Sequence, residues 1–239
     1  MYGWRGRIGL LIPANNTVIE PELNKLVPPG VCSYATRMIV EGAFEPEALH
    51  RMEIQAARGI KELMLSQVDI VVYACMSTSL AKGRPWDSSF CLQETGQDIT
   101  IMTAAQCTAR ALLELQVRNV AVLTPYPVAI QSLLSPYLAE WGLSINDQKS
   151  LNISDYHAVT RISPESLYRE ALALNRQGAE ALCIMATDLR TLEIITALEK
   201  DIGIPVVSTN LAIYWASIKD LGVREEKPAL DCALLRTLR

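Results

Sequence analysis

The sequence predicts an α/β fold of two pseudo-symmetric lobes, each a doubly wound parallel sheet, with a cleft between them. Three observations lead there. Short apolar runs recur along the chain, helix-like stretches separate them, and the series repeats itself about halfway. The runs are Ile8–Ile12, Ile70–Ala74, Ile99–Met102, Val120–Leu123, Ala181–Met185 and Pro205–Val207. Each is short, apolar throughout and bounded by polar or turn residues, as a strand buried on both faces requires. Between them lie Pro46–Ser66, Thr103–Gln116, Ile130–Trp141, Pro164–Gln177, Thr191–Ile202 and Leu211–Leu221, read as helices. Strand and helix alternating at this rhythm build βαβ units. Ser163-Pro164-Glu165 is a helix start with proline in the first turn, and Gly142 and Gly178 are expected helix stops.

The repeat is the most informative global feature. Ile8–Pro13 resembles Val120–Pro125, 112 residues on, and Val68–Cys75 resembles Ala179–Ala186, 111 residues on. Ile99–Thr103 resembles Ile204–Ser208 at a similar offset. The expected division is therefore residues 1–117 as the first lobe, with 208–239 packing back on it, and 118–207 as the second. Ligands in open parallel sheets bind beyond the carboxyl ends of the strands, so three strand ends from each lobe are expected to face one pocket.

Composition narrows the function. The 239 residues are 50% hydrophobic and 20% charged, with a net charge of −4. These values exclude disorder, collagen and coiled coil. No basic run suggests a nucleic-acid partner. The longest apolar stretches fall far short of the roughly 20 residues of a membrane span. Met1–Pro13 is too short in its apolar part for a signal peptide. Six scattered cysteines without a CxxC pair read as free thiols in a reducing cytoplasm, and two histidines leave no expected metal site. Neither GxGxxG nor GxxxxGK[ST] occurs, so no nucleotide cofactor is expected.

The residues after the strands are the candidates for chemistry. Pro13–Thr17, Cys75–Ser79, Thr124–Pro127, Ala186–Thr191 and Ser208–Asn210 are small and rich in hydroxyls or amides. Such segments hold a carboxylate with neutral donors and helix N-termini. Cys75 closes a strand and opens a helix start, where a thiolate is favoured, and the alternative is a packed structural thiol. Asn16 either binds a carboxylate or caps the helix after it. Tyr126 either donates to a substrate oxygen or simply ends a strand. Arg37 and Arg190 are carboxylate partners or surface ion pairs. Cys183 lies inside a strand and reads as packing.

The segments IGLLIPANNTVIEPE, VDIVVYACMSTSL, VRNVAVLTPY, ALCIMATDLRTLEII and GIPVVSTNLAIYWASIKDLG resemble the maleate cis-trans isomerase family. That family is a branch of the aspartate/glutamate racemase superfamily, with arylmalonate decarboxylase and an ectoine-utilisation protein among its relatives. The resemblance runs from about Ile8 to Val223. It implies two lobes around a central cleft, no cofactor, no metal, a small carboxylate substrate and a homodimer or homotetramer in the cytoplasm. It implies that Cys75 is the thiolate that adds to the alkene of a cis-butenedioate. Asn16 and Tyr126 match its carboxylate-binding residues, and Met76, Ser77, Thr78, Tyr156 and Thr187 are the further substrate-binding residues expected beside them.

Two positions depart from the pattern. The second family cysteine falls at Ala186, within ATDLRT where the family has a CTNLRT-like run. Alanine carries neither a proton nor a thiolate. Three readings stay open: a reaction run by one thiol, a substitution introduced to trap substrate, or a homologue that binds without turnover. Tyr156 stands where maleate isomerases have a substrate-binding asparagine. Isomerisation ranks first, with decarboxylation or racemisation of a related acid as the alternative. Arylmalonate decarboxylase, which also uses one thiol, keeps the second-lobe cysteine, whereas this chain keeps the first.

Overall fold

The structure, a computed structural model, describes residues 2–41, 45–92, 99–224 and 229–238, the Pro46 side chain excepted. Two four-stranded parallel sheets form its frame. The first holds β1 (Gly6–Pro13), β2 (Val31–Met38), β3 (Ile70–Tyr73) and β4 (Thr100–Thr103) in the order β2-β1-β3-β4. The second holds β5 (Asn119–Thr124), β6 (Ser144–Ser150), β7 (Ala181–Ile184) and β8 (Val206–Ser208) in the order β6-β5-β7-β8. The same order in the same chain sequence is the structural form of the repeat. It extends to single hydrogen bonds. Ala74 N–H donates to Leu11 O at 2.8 Å, and Met185 N–H donates to Leu123 O at 2.9 Å. Cys75 and Ala186, each the next residue, are therefore counterparts at the exits of β3 and β7.

The central strands are apolar because both faces are covered. All four residues of β3 and of β7 are buried. The outer strands β2 and β6 are absent from the expected set. β6 mixes exposed and partly buried residues and SINDQKS has one apolar residue, while β2 is buried only at its two ends. A strand at a sheet edge, wet on one face, carries no apolar run to read.

Several expected helices are divided. Pro46–Ser66 forms α2 (Pro46–Glu53) and α3 (Ala56–Leu65), with α1 (Ile19–Leu26) before β2. The break presents Gln55 to the chain beyond β2, where its amide pairs with Ile39 N and Ile39 O, each at 2.9 Å. After β3 come α4 (Met76–Lys82) and α5 (Arg84–Cys91), then α6 (Ala104–Glu114) after β4. Ile130–Trp141 splits into α7 (Val128–Gln131) and α8 (Leu134–Ala139), because Pro136 has no N–H to continue a helix across Ser132. The short α9 (Tyr156–Thr160) was not expected. α10 covers Pro164–Ala173 and ends at an extended Leu174, so Gly178 lies in the loop rather than at a helix stop. α11 (Ile195–Ile202) starts four residues later than Thr191 and ends at left-handed Gly203.

α12 (Thr209–Asp220) packs against α6 and α1 of the first sheet's layer. Arg110 and Asp220 form a paired contact there, at 2.9 and 2.5 Å. The C-terminal stretch contains one described helix, α13 (Ala233–Arg236), set against β8 and α12. Residues 225–228 and Arg239 of that stretch lie outside the described residues.

Ser163 caps α10 as its sequence anticipates, its Oγ accepting the Ser166 N–H at 3.1 Å. Ser163→Ala is expected to cost about 1 kcal/mol. A chemical denaturation curve measures this, and turnover should be unaffected because Ser163 is not among the residues lining the cavity described next.

Candidate active site

The exits of β1, β3, β5 and β7 meet around a small, partly open cavity. From the first lobe it is lined by Pro13, Asn15 and Asn16 after β1, and by Cys75, Met76 and Ser77 at the start of α4. The second lobe contributes Tyr126, Tyr156, Thr187 and Asp188. Val40, Leu49 and Met52 complete an apolar wall. No Lys, Arg or His is among the lining residues, so an anion here meets neutral donors.

Cys75 has extended backbone and stands immediately before α4. It is 6% exposed. Its Sγ lies 3.4 Å from Ser77 Oγ and receives the Thr78 hydroxyl at 3.4 Å. Tyr73 OH in turn donates to Thr78 Oγ1 at 3.2 Å. The sulfur is thus held by a relay anchored in β3. The expectation of a lowered thiol pKa is corrected here. Burial pushes the Cys75 thiol up, against the Ser77 and Thr78 hydrogen bonds that pull it down. Desolvation outweighs two weak neutral donors, so the resting group is a thiol.

Asn16 does both things its sequence context allows. Its Oδ1 accepts the Val18 and Ile19 N–H groups at 2.9 and 3.2 Å, at the start of α1. Its Nδ2 donates to Thr187 Oγ1 at 3.0 Å, and that hydroxyl donates to Ala74 O at 3.1 Å. One chain of hydrogen bonds therefore joins the two lobes beneath the cavity. Thr78 lies behind Cys75 and outside the lining, and Ala186 is buried below the cavity wall. Burial raises the Tyr126 and Tyr156 phenols well above their usual range, so both stay protonated.

Arg37 and Arg190 do not reach the cavity. Arg37 binds the Asn16 carbonyl at 2.8 Å and Glu20, while Arg190 binds the Ile162 carbonyl at 2.9 Å. Both brace loops of the site from outside. Cys183 is fully buried in β7. Two residues emerge that the sequence did not single out. Asn15 lines the cavity with its side-chain oxygen buried and, among the described residues, without a hydrogen-bond partner. Asp188 brings a carboxylate into the same wall, and burial raises its pKa to about 7. An acidic residue two positions after the strand-exit counterpart of Cys75 was the available signal. Among the described residues no three His, Cys, Asp or Glu side chains gather as a metal ion would require. No described helix is long and apolar enough to cross a membrane.

The family model described as arylmalonate decarboxylase matches residues 8–231. The chain belongs to the arylmalonate decarboxylase family. Maleate isomerases are prominent among this family member's relatives. That of Alcaligenes faecalis is 27% identical over 237 residues, 93% of each chain. A solved maleate isomerase variant of Pseudomonas putida S16, cysteine replaced by alanine and with maleate, has a TM-score of 0.90 at 25% identity, covering 96% of this chain and 97% of that one. A Nocardia farcinica maleate cis-trans isomerase variant, cysteine replaced by serine, has a TM-score of 0.89 at 26% identity, covering 97% and 98%. It is described with a covalently bound succinylcysteine intermediate.

Proposed function

We propose that this family member is a cofactor-independent cis-trans isomerase of a small unsaturated dicarboxylate of the maleate type, with Cys75 as nucleophile. The observation that carries the reading is a hydrogen-bonded cysteine in the wall of a small cavity lined by uncharged donors. A similar solved structure, the Nocardia farcinica maleate cis-trans isomerase variant, is described with a succinylcysteine intermediate.

The chemistry follows from the residues. The Cys75 sulfur adds to one alkene carbon and forms a C–S bond. The π electron pair moves to the neighbouring carbon and into its carboxylate, giving an enediolate. The former double bond is now single and rotates. The pair then returns, the C–S bond breaks and the trans product leaves. Asn15, Asn16, Ser77, Tyr126 and Tyr156 are the donors for the substrate carboxylates and the developing oxyanion, and Thr187, whose hydroxyl donates to Ala74 O, holds the Asn16 amide in place. Met76 and the wall of Val40, Leu49 and Met52 exclude water from one side. Ala186 is the second-lobe counterpart of Cys75 and supplies no thiol. The six free cysteines favour a reducing, cytoplasmic setting, and a homodimer or homotetramer goes with the same reading.

The apolar wall supports one alternative, loss of CO2 from a malonate bearing an apolar substituent, since that reaction needs the same enediolate stabilisation. Proton NMR of the chain with maleate, and separately with phenylmalonate, distinguishes the two. Fumarate is the expected product. Phenylacetate without fumarate would replace isomerisation by decarboxylation, and no product from either acid would overturn both.

A further inference from the structure

Burial keeps Cys75 protonated at rest, so the sulfur must lose its proton as it adds. The symmetric position in the other lobe, Ala186, has nothing to receive it. Asp188 lies two residues further along the same strand exit and lines the same cavity as Cys75. Its carboxylate is bonded only by its own backbone N–H among the described residues. The remaining polar lining groups are amides, hydroxyls and phenols, none of which accepts a proton near neutral pH.

We propose that Asp188 takes the Cys75 thiol proton during addition and returns it during elimination, replacing the thiol that Ala186 lacks. The inference rests on the isomerase reading for its substrate but not for the thiol–carboxylate pair itself. The step balances. The sulfur lone pair forms the C–S bond, the S–H proton passes to the Asp188 carboxylate, and the π pair moves into the enediolate. On the way back the enediolate pair rebuilds the double bond. Sulfur leaves with its bonding pair and recovers the proton from Asp188. Nothing is oxidised or reduced, and no proton is gained overall.

The surroundings suit this role. Burial raises the Asp188 carboxyl to about 7, matched to proton exchange near neutrality. The Asp188 charge acts on Cys75, Tyr126 and Tyr156, the last of which also feels Glu45 and Arg51 from the α2 segment. Glu22 is buried behind the same loop but is fully engaged by Thr191, Leu192 and Asn210. Asp188 also adds negative charge to a site that must admit a carboxylate. Asp188→Asn should therefore lower KM for maleate while lowering kcat, a split that a structural role would not produce.

The deciding experiment needs no substrate. The rate of Cys75 alkylation by iodoacetamide, a neutral reagent, is followed by peptide mass mapping from pH 5.5 to 9. The wild-type rate is expected to rise along a limb with its midpoint near 7. Asp188→Asn should lose that limb and alkylate about tenfold more slowly at pH 7. Asp188→Ala, which introduces no new hydrogen-bonding group, should show the same loss. If Asp188 acts on the thiol by charge alone, removing it lowers the thiol pKa and alkylation becomes faster, which would overturn the proposal. A chain that shows the limb but leaves maleate unchanged keeps the thiol–carboxylate pair and overturns the substrate reading instead.

Discussion

Cys75→Ser should convert maleate about a thousandfold or more slowly than the wild-type chain, with its fold intact. Serine is nearly isosteric and can accept the same Thr78 and Ser77 contacts, so the cavity keeps its shape. What changes is the chemistry. An alkoxide is far less accessible than a thiolate, and it is a far worse leaving group in the elimination step. Nucleophilic catalysis is lost in both directions at once, so a small residual rate through binding alone is all that should remain. Steady-state conversion of maleate to fumarate measures this, with far-UV circular dichroism as the folding control. Full turnover by Cys75→Ser would remove Cys75 from the mechanism. It would leave the cavity as a binding site only.

Glu22→Ala should destabilise the protein by about 1–3 kcal/mol, the cost of leaving buried neutral donors without their acceptor. Glu22 belongs to α1, yet its carboxylate accepts the Thr191 N–H at 2.6 Å, the Leu192 N–H at 3.0 Å and the Asn210 Nδ2 at 2.7 Å. Alanine leaves those donors buried without an acceptor. The loss falls on the contact between lobes, so urea denaturation should show the lower midpoint while each sheet's own hydrogen bonds are unchanged. Burial raises the Glu22 pKa above 4.5, more than its hydrogen bonds lower it. A carboxyl raised in the folded state binds its proton more tightly there than in the unfolded chain. Stability from this group is therefore present at low pH and declines as pH rises from about 4.5 through the folded value. Glu22→Gln cannot titrate and should lose this slope.

Much of the site was legible from local pattern. The apolar runs place β1, β3, β5 and β7, and the residues after them are the ones that line the cavity. Cys75, Asn16, Met76, Ser77, Tyr126 and Thr187 all follow or adjoin such ends, whereas Tyr156, at the start of α9 beyond β6, was named through the family resemblance alone. Asp188 was passed over for a physical reason. A carboxylate in a polar loop is ordinarily solvated, and only its burial against Cys75, Tyr126 and Tyr156 changes its proton affinity. Arg37 and Arg190 failed as carboxylate partners for the converse reason, since backbone carbonyls nearby already hold them.

The amino-acid sequence alone determined the parallel α/β class, the internal duplication and the cysteine at the exit of β3. These are read from short windows, because burial on both faces dictates the composition of a strand wherever it lies. Only the tertiary structure decided which strand ends meet. Asn16 and Thr187 are 171 residues apart and share a hydrogen bond, and Glu22 meets Asn210 across 188 residues. The edge strands β2 and β6, the division of the long helices and the protonation of Cys75 were decided there too. Exposure, chain direction and desolvation depend on what packs alongside a residue, and a sequence window does not contain its neighbours in space.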